Sequence, residues 1–134
     1  MQDQDAIAFV LGFCAAWDRR DADAVMGMLG EDCFFHNIPV APLVGHGEIR
    51  PVVEGFFAIA THVHFDVSSA AVAANGTVMI ERVDRFTING VLSELPVMGA
   101  FELRDGRIAV WRDYYDQRQL DTMLAASGVG NAPA

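Results

Sequence analysis

The chain has 134 residues, 52% of them hydrophobic, with a mean hydropathy of +0.25 and a formal net charge of −9. That length suits one domain spanning residues 1–134, with apolar residues enough for a core and a lined cavity and too many for a disordered chain. The acidity (pI about 4.6) repels nucleic-acid phosphates and anionic membranes, which sets both aside as partners.

The opening MQDQDAIAF carries acids where a secretory signal carries bases, and no apolar run is long enough to span a membrane, so the chain reads as soluble and cytoplasmic. Ile7, Phe9, Val10, Phe13, Cys14 and Trp17 recur at helical spacing and predict a helix over 5–18, with Asp3 or Asp5 as its N-cap. A second short helix follows over 21–29, with Gly30 as its stop. EDCFFHNIPV reads as a strand closed by Pro39 and Pro42. Residues 47–60 return to helical spacing and place Pro51 in the first turn.

From His62 the period changes to two. Strands over 62–73, 77–87, 91–104 and 107–115 are separated by Asn75-Gly76, Asn89-Gly90 and Asp105-Gly106, which are hairpin turn signals. Pro96 inside the third strand requires an edge, a bulge or a bend. Residues 117–126 form a last short helix, and 127–134 read as a flexible tail. Three helices ahead of a four-stranded antiparallel meander define an α+β fold. A curved sheet packed against the N-terminal helices makes a cone with one deep apolar pocket.

The polar residues break this pattern in one place. In VMIERVDRF, Ile80, Arg82, Asp84 and Phe86 share a strand face. If the two apolar residues face the core, the charged ones do too, and a buried charge needs a partner. In IAVWRDYYD, Ala109, Trp111, Asp113 and Tyr115 share one face. In a meander these two strands lie next but one, which brings Asp84 and Asp113 to either side of Arg82. Asn37 shares a face with Cys33 and Phe35 and is equipped to hold a water.

Two carboxylates on one arginine can hold different protonation states, one serving as base and the other as acid. That suits attack of water on a small neutral electrophile. Residue by residue the plainer explanations stay open. Buried Arg–Asp pairs often only fix register, an Asp beside Arg112 is commonly a surface residue, and an Asn before Ile-Pro is commonly a turn residue.

FFHNIP (34–39), ERVDRF (81–86) and WRDYYD (111–116), in this order and spacing, resemble the limonene-1,2-epoxide hydrolase family within the nuclear-transport-factor-2-like, SnoaL-like cone folds. The resemblance implies a catalytic set of Asp113 as base, Asn37 holding the water, protonated Asp84 as acid and Arg82 bridging the carboxylates. It further implies no cofactor, no metal and no covalent intermediate, a lipophilic epoxide and water as reactants, and a homodimer paired through the sheet. One position departs from the family pattern: Phe35 stands where these proteins usually carry a tyrosine whose hydroxyl also grips the water. Face assignment and the resemblance together make Trp17, Phe35, Phe56, Phe86, Leu95, Val97 and Tyr115 the expected pocket wall.

Other residues carry less. Cys14 and Cys33 lack metal-ligand spacing and read as buried reduced thiols. His62 and His64 share a strand face without a matching third ligand, so His36, His46, His62 and His64 read as surface or turn residues. Two other functions fit a cone: an isomerase or cyclase acting on a steroid or polyketide, and a non-catalytic module that holds a hydrophobic ligand.

Overall fold

The computed structural model describes residues 2–129. Helix α1 (Asp3–Asp18) buries Val10, Phe13, Cys14 and Trp17. Its N-cap is Gln2, with no side-chain cap, so Asp3 and Asp5 are first-turn acids facing the positive end of the helix instead of caps. Helix α2 (Ala22–Met28) is capped by Asp21, whose side chain accepts a hydrogen bond from the Ala24 amide at 3.0 Å.

Gly30 does not stop α2. Leu29 already has extended backbone (φ −93°, ψ 136°) and pairs with Ile108, so the chain passes directly from α2 into strand β1 (Leu29–Asn37) with Gly30 inside it.

After the prolines, a two-residue strand β2 (Leu43–Val44) pairs antiparallel with β1; it is too short to leave a periodic signal. Gly45 adopts φ 82°, which favours glycine, and turns the chain into α3 (His46–Ile59). The Glu48 carboxylate accepts a hydrogen bond from the Val44 amide at 2.7 Å and ties that corner together. Because the turn at Gly45 sets the start of α3, Pro51 falls in its second turn and not its first. There it removes one internal hydrogen bond, on the exposed side of the helix.

Strands β3 (Ala60–Val72), β4 (Val78–Ile88), β5 (Val91–Arg104) and β6 (Arg107–Tyr114) form the expected antiparallel meander, and α4 (Gln117–Ala126) follows. Asn89–Gly90 and Asp105–Gly106 both take positive φ at each position, as two-residue hairpins require. The meander is only part of the sheet. β1 adds to β6 in parallel, giving six strands in the order β2-β1-β6-β5-β4-β3. Pro96 is opposite Val83 of β4, while pairing to β6 begins only at Met98, so the proline occupies a local edge.

Irregular pairings at Ala60/His62, Val67/Ser69 and Glu102/Leu103 bend the long strands. The curved sheet wraps around α1 to α3 as an unclosed cone. Along β4 burial alternates strictly from Val78 to Arg82, and Ile80, Arg82, Asp84 and Phe86 all face inward.

The stretch from 127, expected as a tail, is ordered as far as Val129. The Asn89 side-chain amide donates to the Ser127 carbonyl at 2.8 Å, Ser127 is buried, and Val129 packs against the core. Positions 130–134 lie outside the described residues.

Candidate active site

Two hairpins bring the site together. Arg82 and Asp84 project inward from β4, and Asp113 projects inward from β6, with β5 between them. The Arg82 side chain is 1% exposed. Its Nε donates to Asp84 Oδ1 at 2.6 Å and its Nη2 to Asp84 Oδ2 at 3.1 Å. Nη1 donates to Asp113 Oδ1 at 3.0 Å and Nη2 to Asp113 Oδ2 at 2.7 Å. One guanidinium thus holds two carboxylates through two forks, a geometry that lysine cannot supply. The Phe65 ring lies 4.7 Å from the Arg82 Cζ and contributes a cation–π contact.

Asp113 receives a further hydrogen bond that the sequence reading did not assign. Trp111, two residues earlier on the same face, donates from Nε1 to Asp113 Oδ1 at 2.8 Å. The i, i+2 spacing was the available signal. The parallel pairing of β1 with β6 sets Asn37 directly beside Asp113, on the same face.

These four polar residues border an apolar cavity of about 220 Å³. All of the expected wall residues line it: Trp17, Phe35, Phe56, Phe86, Leu95, Val97 and Tyr115. The sequence reading missed Val52, Phe65, Trp111, Leu120 and Leu124. Val52 stands one helical turn before Phe56, and Leu120 and Leu124 are i, i+4 neighbours on α4, so helical spacing was the signal for these three. Phe35 stacks on Trp111 with centroids 4.1 Å apart and planes 18° apart, so its ring is held rigidly against the residue that orients Asp113.

The electrostatics separate the members of the cluster. Burial raises the pKa of Asp84, opposed by the charge and hydrogen bonds of Arg82, and the net direction is upward. Burial alone would lower the pKa of Arg82, but Asp113 and Asp84 outweigh it and hold the guanidinium charged. Burial lifts the Tyr115 phenol to about 12, helped by the charge of Asp113, so at neutral pH it is a protonated donor. Burial also lifts the Cys14 thiol to about 12 and the Cys33 thiol to about 11, which removes both as nucleophiles.

The histidines lie away from the cavity. His36 and His46 bond the Val40 and Leu29 carbonyls, and His64 pairs with Asp18 on the surface. Among the described residues, no group of three or more His, Cys, Asp or Glu is placed to hold a metal ion. No described helix is long and apolar enough to cross a membrane.

Sheet, cone and cluster together set two carboxylates and their shared guanidinium at the wall of an apolar cavity. Comparison with known proteins identifies the class. Residues 4–126 match the limonene-1,2-epoxide hydrolase catalytic domain, and the chain belongs to that family. It is 32% identical over 108 residues to epoxide hydrolase EphG of Mycobacterium tuberculosis, covering 80% of this chain and 70% of that protein. Its fold is similar to that of an M. tuberculosis LEH-like epoxide hydrolase (TM-score 0.80, 26% identity, 93% of this chain and 92% of the other). A putative polyketide cyclase from Xanthomonas campestris shares the fold at TM-score 0.79 and 21% identity, over 90% of this chain and 97% of the other.

Removing the shared cation makes the dependence of the two carboxylates on it measurable. Arg82→Met leaves two acids in an apolar site and lowers stability by about 3–5 kcal/mol at neutral pH. The sign in pH follows from Asp84. Its folded-state pKa is already raised and rises further without Arg82, so the stability of the variant falls as pH rises through that value and recovers on acidification. Urea unfolding of variant and wild type near pH 5 and near pH 7.5 reads this directly; a deficit that does not shrink at the lower pH contradicts it.

Proposed function

We propose that this protein is a cofactor-independent, cytoplasmic epoxide hydrolase of the limonene-1,2-epoxide type, opening a lipophilic cyclic or terpene-like epoxide to a vicinal diol by direct attack of water. The observation that carries the reading is the double fork of Arg82 on Asp84 and Asp113 at the wall of an apolar cavity. Family membership supports the reaction class.

In this mechanism a water molecule sits between Asn37 and Asp113. Asp113 takes its proton as the oxygen attacks an epoxide carbon. The carbon–oxygen bond of the strained ring breaks as protonated Asp84 gives its proton to the leaving oxygen. Arg82 stays charged throughout and keeps the carboxylates in unlike protonation states. The proton gained by Asp113 returns to Asp84 before the next turnover, so the net reaction is epoxide plus water to diol. The apolar wall, with Phe86, Leu95 and Val97, holds the hydrocarbon part of the substrate and excludes bulk water. An isomerase or cyclase on the same cone is the second reading, favoured by fold likeness alone.

Purified protein mixed with a panel of cyclic and terpene epoxides is expected to release diols. Asp113→Asn and Asp84→Asn each lower kcat/KM by about 100-fold or more while the protein stays folded. The wild-type rate falls as pH rises through the raised pKa of Asp84, and the residual rate of Asp84→Asn lacks that limb. In a single turnover in heavy-oxygen water the label enters the diol directly; label found first in a protein carboxylate rules out direct attack. Diol formation by Asp113→Asn at the wild-type rate removes Asp113 as the base.

Phe35→Tyr tests how the water is held. A hydroxyl added next to Trp111 leaves the diol rate unchanged or raises it, by up to about tenfold for a positioning hydrogen bond. A large loss of rate means that the water is bound in another way.

We also propose a homodimer formed through the outer face of the sheet. Met79, Met98 and Tyr114 are exposed there at 44%, 48% and 47%, next to Pro96. Light scattering is expected to give twice the chain mass, and Met98→Glu is expected to reduce it to one; a monomeric wild type overturns the proposal.

A further inference from the structure

Gly99 has no evident reason to be a glycine on backbone grounds. It lies in the interior of β5, paired with Ile80 on one side and Asp113 on the other, and its φ is not positive. Glycine in mid-strand weakens the strand and supplies nothing to pack, so its presence there marks a close approach.

The approach is to the ion cluster itself. A Cβ added at Gly99 would lie 2.7 Å from Arg82 Nη1, 3.0 Å from Asp113 Oδ1 and 3.1 Å from Phe101 Cε1. The first two atoms are the donor and acceptor of one hydrogen bond, the 3.0 Å contact from Arg82 to Asp113. Arg82 has little room to yield. Phe65, from β3 on the opposite flank of β4, covers its guanidinium, and the side chain is buried and anchored to Asp84 through Nε.

We propose that Gly99 is a positioning residue for the reaction: the missing side chain is what lets the guanidinium lie against β5 and reach Asp113 while still holding Asp84. A methyl group there pushes Nη1 off Asp113 Oδ1 and leaves the Asp84 fork less affected, because the two polar contacts of the added carbon both fall on the Arg82–Asp113 hydrogen bond and none falls on Asp84. The proposed base then loses one of the groups that orient it beside Asn37, and the coupling between the two carboxylates weakens. The consequence for rate rests on the proposed hydrolysis; the consequence for geometry does not.

The test compares Gly99→Ala with Gly30→Ala, a glycine near the start of β1 whose added Cβ would meet only the Ile108 carbonyl oxygen, at 3.4 Å. Both variants are assayed for diol formation on an epoxide that the wild type turns over. Gly99→Ala is expected to lower kcat by about tenfold to a hundredfold with KM changed less than about threefold, since the reacting groups are misplaced and the apolar wall is intact. Gly30→Ala is expected to keep the wild-type kcat.

Nitrogen-15 NMR of the arginine side chains supplies the readout that a general weakening of the strand would not move. In the wild type the Arg82 guanidinium protons should exchange slowly and show cross-relaxation to the Gly99 α-protons. In Gly99→Ala the Nη1 signals should shift or be lost while the Nε signal persists. The wild-type cross-relaxation decides the contact even if Gly99→Ala does not fold, and its absence overturns the proposal. Wild-type kcat with unchanged Arg82 signals in Gly99→Ala also overturns it. Failure of the wild type to open any epoxide defeats the hydrolase reading instead and leaves the NMR comparison to decide the role of Gly99.

Discussion

Everything near the cavity is organised around one buried cation held by two acids. A charge removed from water is expensive, and pairing it is the way a protein tolerates it. With both carboxylates ionised the cluster would carry a net negative charge into an apolar cone. With one proton on Asp84 it is neutral, which is the cheaper state to bury. The upward shift of Asp84 is this preference expressed as a pKa. In the proposed mechanism that same proton on Asp84 is the one given to the leaving oxygen.

The sheet exists in the form that this cluster needs. β6 is the strand where two kinds of pairing meet, antiparallel to β5 and parallel to β1. Its inward face therefore receives Arg82 from one side, across Gly99, and Asn37 from the other. A meander alone would have placed the charged trio and left Asn37 elsewhere. The bulges that curve the long strands turn this row of residues toward the helices, where the aromatic wall closes over it.

Trp111 links the core to the site. Its ring stacks on Phe35 and on Phe101, meets Phe13 in a T-shaped contact with centroids 4.9 Å apart, and donates its indole N–H to Asp113. The orientation of the carboxylate is thus fixed by close packing as well as by charge, and packing does not change with salt or pH. That rigidity is what a reaction depending on a few tenths of an ångström requires.

Much of this was legible from the chain alone. Period-two spacing and three hairpin signals specified the meander, and the inward placement of Arg82, Asp84 and Asp113 followed from their sharing faces with Ile80, Phe86 and Trp111. These are local properties, because the alternation of a strand is set by its own backbone. The wall residues Leu95 and Val97 follow from strand alternation and Trp17 and Phe56 from helical spacing, in each case together with the family resemblance. Tertiary structure decided the rest. The parallel docking of β1 on β6, the two-residue strand β2 and the true place of Pro51 each depend on contacts between distant segments, which no spacing records. Gly99 is the sharpest case: on sequence it is a weak point in a strand, and only the arrival of Arg82 from one neighbouring strand and Asp113 from the other shows that the empty space is occupied by their hydrogen bond.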